Sequence, residues 1–199
     1  MRYGYGRRKN MMRIITGKAK GKKLFTLEGE ATRPTSERIK GAMFSSIQFD
    51  IENRRVLDLF AGSGQLGFEA LSRGAESVTF VEADRDTMDI IKKNAKALDF
   101  FDVCKFQVAD YRNYIRKASG RDKFDLVFID PPYAMECCKE ALVRLAEAEL
   151  IIPGAIIVLE SGSEEIDAAA EELADFEVVK STAYGKKTAL NIFIYKGKD

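Results

Sequence analysis

From Arg54 onward, two kinds of apolar spacing take turns along the chain. Short runs rich in Val, Ile, Leu and Phe alternate with stretches in which apolar residues recur every three or four positions. The first spacing is that of buried strands and the second that of amphipathic helices. Strands are predicted over 55–60, 77–82, 103–110, 124–129 and 155–161. Helices are predicted over 64–74, 85–98, 111–118, 135–150 and 164–173. The closing stretch FEVVKSTAYGKKTALNIFIYK reads as a hairpin with its turn near Gly185. Repeated strand–helix–strand units imply an α/β fold, a doubly wound Rossmann-like sheet. The sheet should be mostly parallel, with an antiparallel C-terminal strand. Ligands of such sheets lie at the carboxyl ends of the strands, so the informative residues should be strand-terminal.

The pattern before Arg54 is different. In TRPTSERIKGAMFSSI (32–47), Thr35 or Ser36 can cap a helix, with Glu37 in its first turn. Ile39, Met43, Phe44 and Ile47 then share one helical face. RIITGKAKGKKLFTL (13–27) interleaves cations with Gly and strand formers, which predicts an ordered β-ribbon. Three units result: a basic extension at 1–12, a basic β-hairpin at 13–30 and one catalytic-size domain at 31–199. Met11 and Met12 precede the ribbon, so the first ten residues can be read as an upstream start.

Charge sharpens this division. Residues 1–40 hold 12 Lys/Arg against 3 Asp/Glu, a net of +9, and the remaining 20 Lys/Arg and 28 Asp/Glu leave 41–199 at −8. A basic arm on an acidic body fits a polyanionic partner touched at one end. A solvated tail would explain residues 1–10 equally well. For the ribbon, phosphate contact through Arg13, Lys18, Lys20, Lys22 and Lys23 is expected. No apolar run approaches the roughly 20 residues of a bilayer span, and no apolar segment follows the basic N-terminus as in a secretory signal. The three cysteines lack C-x-x-C spacing. They suggest neither zinc nor disulfides and fit a reducing, cytoplasmic setting. The chain has no histidine. Its chemistry must therefore come from carboxylates, tyrosines, lysines, backbone groups or a cofactor.

Three strand ends carry candidate chemistry. VLDLFAGSGQLG places Gly62, Gly64 and Gly67 in a G-x-G-x-x-G turn between strand and helix, and Glu82 closes the next strand where an acid can grip ribose hydroxyls. NAD and S-adenosylmethionine (SAM) both satisfy these features, and a plain tight turn satisfies the glycines. Asp110 ends the third strand. It can reach an adenine amino group or cap the helix that follows it.

The fourth strand ends in Asp130-Pro131-Pro132-Tyr133. A strand end with a rigid turn would account for the prolines. Chemistry accounts for more. An exocyclic base amine is a weak nucleophile because its lone pair is delocalised into the ring. The Asp130 carboxylate and the Pro131 carbonyl can accept from both its N–H groups, and prolines hold these acceptors at fixed separation. Tyr133 offers a flat face for the base. A sulfonium methyl donor needs neither metal nor histidine. Hydride transfer gives no reason for this tetrapeptide, which favours SAM over NAD.

DLFAGSG, FVEAD and DPPY in this order resemble class I SAM-dependent amino-methyltransferases. Together with RIITGKAKGKKL, TRPTSERIKGAMFSSI, GSGQLGFEALSRGA and YGKKTALNIFIYK, the chain resembles the RsmD-type 16S rRNA (guanine-N2)-methyltransferases over nearly all of 13–196. The resemblance implies SAM over Asp58, Phe60, Gly62, Ser63 and Gly64, with Glu82 on the ribose and Asp110 near the adenine. It implies that Asp130 and Pro131 hold the guanine N2, that Tyr133 stacks on the flipped base, and that Arg33, Pro34 and Thr35 face the active site. It also implies a cytoplasmic monomer acting on the small ribosomal subunit, without metal or membrane. DPPY is shared with DNA adenine methyltransferases, so adenine N6 in DNA is an alternative substrate. A non-catalytic RNA-binding module on the same scaffold is a second alternative, and it would have no need of Asp130.

Overall fold

Alternation along the strands decides which layer each helix joins. The computed structural model describes residues 12–26, 34–132, 135–162, 164–167, 169–184 and 188–198. The elements are α1 (Pro34–Ser46), β1 (Arg55–Asp58), α2 (Gln65–Ser72), β2 (Ser77–Glu82), α3 (Arg85–Leu98), β3 (Cys104–Val108), α4 (Tyr111–Ala118), β4 (Phe124–Ile129), α5 (Cys138–Glu147), β5 (Ile151–Ser161), β6 (Phe176–Ala183) and β7 (Ala189–Tyr195). The seven strands are ordered β3-β2-β1-β4-β5-β7-β6. All neighbours up to β5 pair in parallel, while β7 runs antiparallel to both β5 and β6.

Successive strand residues point to opposite faces. Val56, Val78, Phe80, Leu126 and Phe128 therefore meet α1, α2 and α3 in one buried layer. Leu57, Val81, Val127, Ile129 and Leu159 meet α4 and α5 in the other. The predicted face of α1 is the buried one: Ile39, Met43, Phe44 and Ile47 are each 2% exposed or less. Its helix begins at Pro34, a residue suited to a first helical turn. Thr35 and Ser36 therefore lie inside that turn rather than ahead of it. Asp125, the acid at the start of β4, accepts from the Arg55 backbone N–H at 2.5 Å, which secures the base of the β1–β4 pair. No helix among the described residues is long and apolar enough to cross a membrane.

Two predicted elements differ. Among the described residues of 164–173 there is no α-helix, and Glu171–Leu173 make a single 3-10 turn. Five acids in ten residues repel one another, and among the described residues of this stretch only Leu173 is fully buried. Glu164 is used elsewhere: its carboxylate accepts from the N–H groups of Cys138 (2.7 Å) and Lys139 (3.0 Å), capping α5 from a distance. The segment 13–26 is also not an extended ribbon. It folds back on itself through one antiparallel bridge, Arg13 to Lys23, with turns between. The turn expected near Gly185, residues 1–11 and 27–30 lie outside the described residues.

What holds the segment 13–26 is the body of the protein. Glu69 on α2 is fully buried and accepts from the N–H groups of Ile15 (2.7 Å) and Thr16 (3.0 Å). The same carboxylate pairs with Lys40 (3.3 Å) and Arg73 (2.9 Å). Ser72 adds its carbonyl, which accepts from Lys18 N–H at 2.7 Å, and its hydroxyl, which accepts from Ala19 N–H at 2.9 Å and donates to the Thr16 carbonyl at 2.6 Å. The approach is so close that a Cβ at Gly17 would stand 1.8 Å from the Ser72 carbonyl oxygen. Glycine is required there by contact and by its φ of 88°.

Removing a partner from a buried ion pair leaves the other charge uncompensated, at a cost of about 3–5 kcal/mol. Glu69→Ala is therefore expected to lower the stability of the protein by that amount in urea unfolding, with the loop 13–26 becoming cleavable by protease before the body unfolds.

Candidate active site

The sheet reverses its winding between β1 and β4, and in open sheets such a reversal leaves a crevice outside the carboxyl ends of the strands. A hydrogen bond from Leu59 N–H to the Phe128 carbonyl, 3.1 Å, ties the two strand ends together. The glycine-rich turn leaves β1 here. Its three glycines have three separate causes. Gly64 caps α2 in the left-handed region, with φ 80°. Gly67 lets α2 lie against β2, since a Cβ there would be 2.3 Å from the Phe80 ring. Gly62 is also left-handed, with φ 51°, yet a Cβ there would meet nothing within 4 Å. The space beside Gly62 is open.

Asp58 ends β1, is 1% exposed and accepts from Gly67 N–H at 3.0 Å. It thereby fixes the first turn of α2. Burial pushes its carboxyl up to about 7; the Gly67 hydrogen bond opposes this and the negative charge of Glu82 adds to it. Glu82 ends β2 and accepts from Gly62 N–H (3.0 Å) with one oxygen and from Asp84 N–H (2.9 Å) with the other. Each carboxylate oxygen has a second lone pair, so the residue can shape the turn and still receive hydroxyl donors. Asp110 caps α4 through Arg112 N–H at 2.9 Å, the capping role expected from sequence.

Phe60 is half-buried, with its ring 5.1 Å from that of Tyr111. The Tyr111 hydroxyl donates to Glu140 at 2.8 Å, and Arg112 grips the same carboxylate through two nitrogens at 2.8 and 2.6 Å. Ser63 is buried. Its hydroxyl donates to Met12 Sδ at 3.2 Å, so it faces the N-terminal segment.

Across the crevice, Asp130 follows β4. The last register pair of β4 and β5 is Ile129 with Leu159, which puts Asp130 and Glu160 side by side. Burial drives the Asp130 carboxyl well above its ordinary range, and the negative charges of Glu160 and Asp58 drive it further. Pro131 is buried and Pro132 exposed; the Pro132 carbonyl accepts from Met135 N–H at 2.8 Å. Tyr133 and Arg33 lie outside the described residues, as does the side chain of Thr35, whose backbone is in the first turn of α1.

The predicted cations of the basic segment, Arg13, Lys18, Lys20, Lys22 and Lys23, are all exposed, while Ile14, Ala19 and Leu24 between them are buried. Sequence reasoning missed the residues that arrange this: Glu69, Ser72 and Asn94. A signal was present for two of them. Glu69 is the one charge in the apolar octet QLGFEALS, and Asn94 interrupts the stripe Met88, Ile91, Ala95, Leu98.

The family model described as "Conserved hypothetical protein 95" matches residues 12–194. Ribosomal RNA small subunit methyltransferase D of Haemophilus influenzae is 37% identical over 158 residues, 77% of this chain and 80% of that protein. This chain belongs to the RsmD family. YlbH of Bacillus subtilis is 34% identical over 93% of this chain and 98% of its own length. The solved structure of yhhF from Escherichia coli superposes with a TM-score of 0.81 at 26% identity, covering 94% of this chain and 99% of that one. The fold is thus the doubly wound sheet expected from the strand pattern and the class I methyltransferase architecture that the resemblance implies.

The buried Asp58 has a consequence for stability. Its pKa is raised on folding, so between about 4 and 7 the native state holds a proton that the unfolded chain releases. Stability contributed by Asp58 is therefore present at low pH and lost as pH rises through about 7. Asp58→Asn, which keeps an oxygen for Gly67, is expected to flatten the fall in melting temperature between pH 4.5 and 7.5 relative to the parent protein.

Proposed function

We propose that this chain transfers a methyl group from SAM to the exocyclic N2 of a guanine in 16S rRNA of the small ribosomal subunit. One observation carries the reading: in a chain of this family, the open backbone at Gly62 and the pair Asp130-Pro131 follow the carboxyl ends of two neighbouring strands, β1 and β4. SAM is compatible with the residues present. Gly62 leaves room for close approach, Glu82 and Asp110 provide carboxylates at the ends of β2 and β3, and Phe60 provides an apolar wall. When bound, SAM supplies an electrophilic methyl group on a positively charged sulfur. Asp58, Asp130 and Glu160 gather carboxyl groups at the ends of β1, β4 and β5, and a cationic donor beside them would favour the ionised forms of Asp58 and Asp130 that burial disfavours.

The protein's part is positional and electrostatic. The Asp130 carboxylate and the Pro131 carbonyl receive the two amine N–H groups and turn the nitrogen lone pair toward the methyl. Forming the new N–C bond makes one N–H proton acidic, and Asp130 is placed to receive it. A carboxyl held well above its ordinary range is a better base for this task than an exposed aspartate. The rRNA assignment is supported by the relatives whose names specify it and by the exposed cations of 13–23, which face outward from a docked loop. The guanine N2 specificity is the RsmD-type reaction and agrees with an acceptor pair built for an exocyclic amine.

Methyl transfer from labelled SAM to small subunits lacking the mark tests the reading directly. Label is expected in guanosine N2, and Asp130→Ala is expected to reduce kcat by roughly 10²–10⁴-fold with SAM binding retained. Label in an adenine, or unchanged turnover in Asp130→Ala, would refute it. Neutralising Lys18, Lys20, Lys22 and Lys23 together to Gln is expected to weaken subunit binding and to shallow its salt dependence. SAM affinity should be unchanged in that variant when no RNA is present.

A further inference from the structure

Asn94 of α3 is fully buried, and no part of the reading above uses it. Its side-chain amide spans two regions. Oδ1 accepts from Phe25 N–H at 2.8 Å, while Nδ2 donates to the Phe25 carbonyl at 3.0 Å and to the Ser63 carbonyl at 3.1 Å. Both amide hydrogens are thereby used. Phe25 ends the basic loop, and Ser63 lies between Gly62 and Gly64 in the glycine-rich turn. A second link runs in parallel, since the Ser63 hydroxyl donates to Met12 Sδ at the other end of the loop. Both ends of the loop are therefore tied to one residue of the turn. Lys93 reinforces the Phe25 end, with its ammonium 3.8 Å from the ring centroid.

We propose that Asn94 is a positioning residue that couples the two ligands, so that RNA on the basic loop and SAM on the glycine-rich turn bind with positive cooperativity. This rests on the reading under Proposed function. The argument is one of unmet hydrogen bonds. If the loop leaves, a buried amide loses two of its three partners, which is costly in an interior that excludes water. Asn94 is then no longer held against the Ser63 carbonyl, and the turn loosens with the loop. RNA gripping the exposed lysines favours the docked loop. A ligand lying on the turn favours the ordered turn. Each thus selects the same arrangement, and the resulting linkage is reciprocal.

The test uses sinefungin, a SAM analogue without a transferable methyl, and small ribosomal subunits from a strain lacking this gene. Saturating subunits should tighten sinefungin binding by about fivefold or more, and sinefungin should tighten subunit binding by the same factor. In Asn94→Asp, which keeps an acceptor for Phe25 N–H but loses both donors, the factor should fall to about one while each ligand still binds alone. Wild-type protein gives a second readout: hydrogen exchange of the Phe25 amide should slow when sinefungin alone is added. This decides the matter should the variant fail to fold. Binding of both ligands to wild type with a factor of one and unchanged Phe25 exchange would overturn the coupling and leave the proposed function standing. A full coupling factor in a folded Asn94→Asp would overturn the role of Asn94. Failure of wild type to bind sinefungin would overturn both readings.

Discussion

The carboxylate of Glu69 is the constraint on which the arrangement of this protein turns. It is buried without exposure, and it satisfies two loop amides, a lysine and an arginine at once. A buried charge survives only when its hydrogen-bonding capacity is filled. Here the partners come from three places: α1 through Lys40, α2 itself through Arg73, and the loop through Ile15 and Thr16. Folding the body therefore creates a demand that Lys40 and Arg73 fill in part and the loop amides complete. The segment has an antiparallel bridge and a few backbone hydrogen bonds of its own, and an isolated hairpin of that size is marginal in water.

Around that anchor, the crevice follows from close packing. Gly67 brings α2 against Phe80, and Asp58 reaches the Gly67 amide only because the helix is so near. Asp58 is buried there, which raises its pKa, and its ionised form in turn disfavours ionisation of Asp130. One packing decision at a glycine thus propagates into the protonation of a residue on another strand. The electrostatics of the crevice are set by backbone geometry before any ligand arrives.

Much of this was legible in the sequence, for physical reasons. Strand ends are marked by abrupt change from apolar runs to Gly, Asp or Pro, so Asp58, Glu82, Asp110 and Asp130 could be placed without coordinates. Helices with a clear apolar stripe, such as α1 and α3, were equally readable. The stretch 164–173 was not, because helical spacing of Ala and Leu hides the repulsion of five acids and the distant use of Glu164 as a cap for α5. The loop was legible in part. Its strand formers suggested pairing within the segment, and the donors of Ile14, Lys20, Gly21, Lys22 and Leu24 do pair there, whereas those of Ile15, Thr16, Lys18, Ala19 and Phe25 go to Glu69, Ser72 and Asn94, some 50 to 70 residues further along the chain. Long-range capture of backbone groups by side chains leaves no periodicity to read.

The hydrogen bonds that seat the loop use its own main chain: the amides of Ile15, Thr16, Lys18 and Ala19, the carbonyls of Arg13 and Thr16, and both groups of Phe25. Its outward side chains take no part in them. Attachment and surface chemistry are therefore separable properties of one segment. With Gly17 and the buried Ile14, Ala19 and Leu24 kept, the exposed positions between them form an interchangeable face. The body can present a different pattern of charge to a different surface while its own interior stays unaltered.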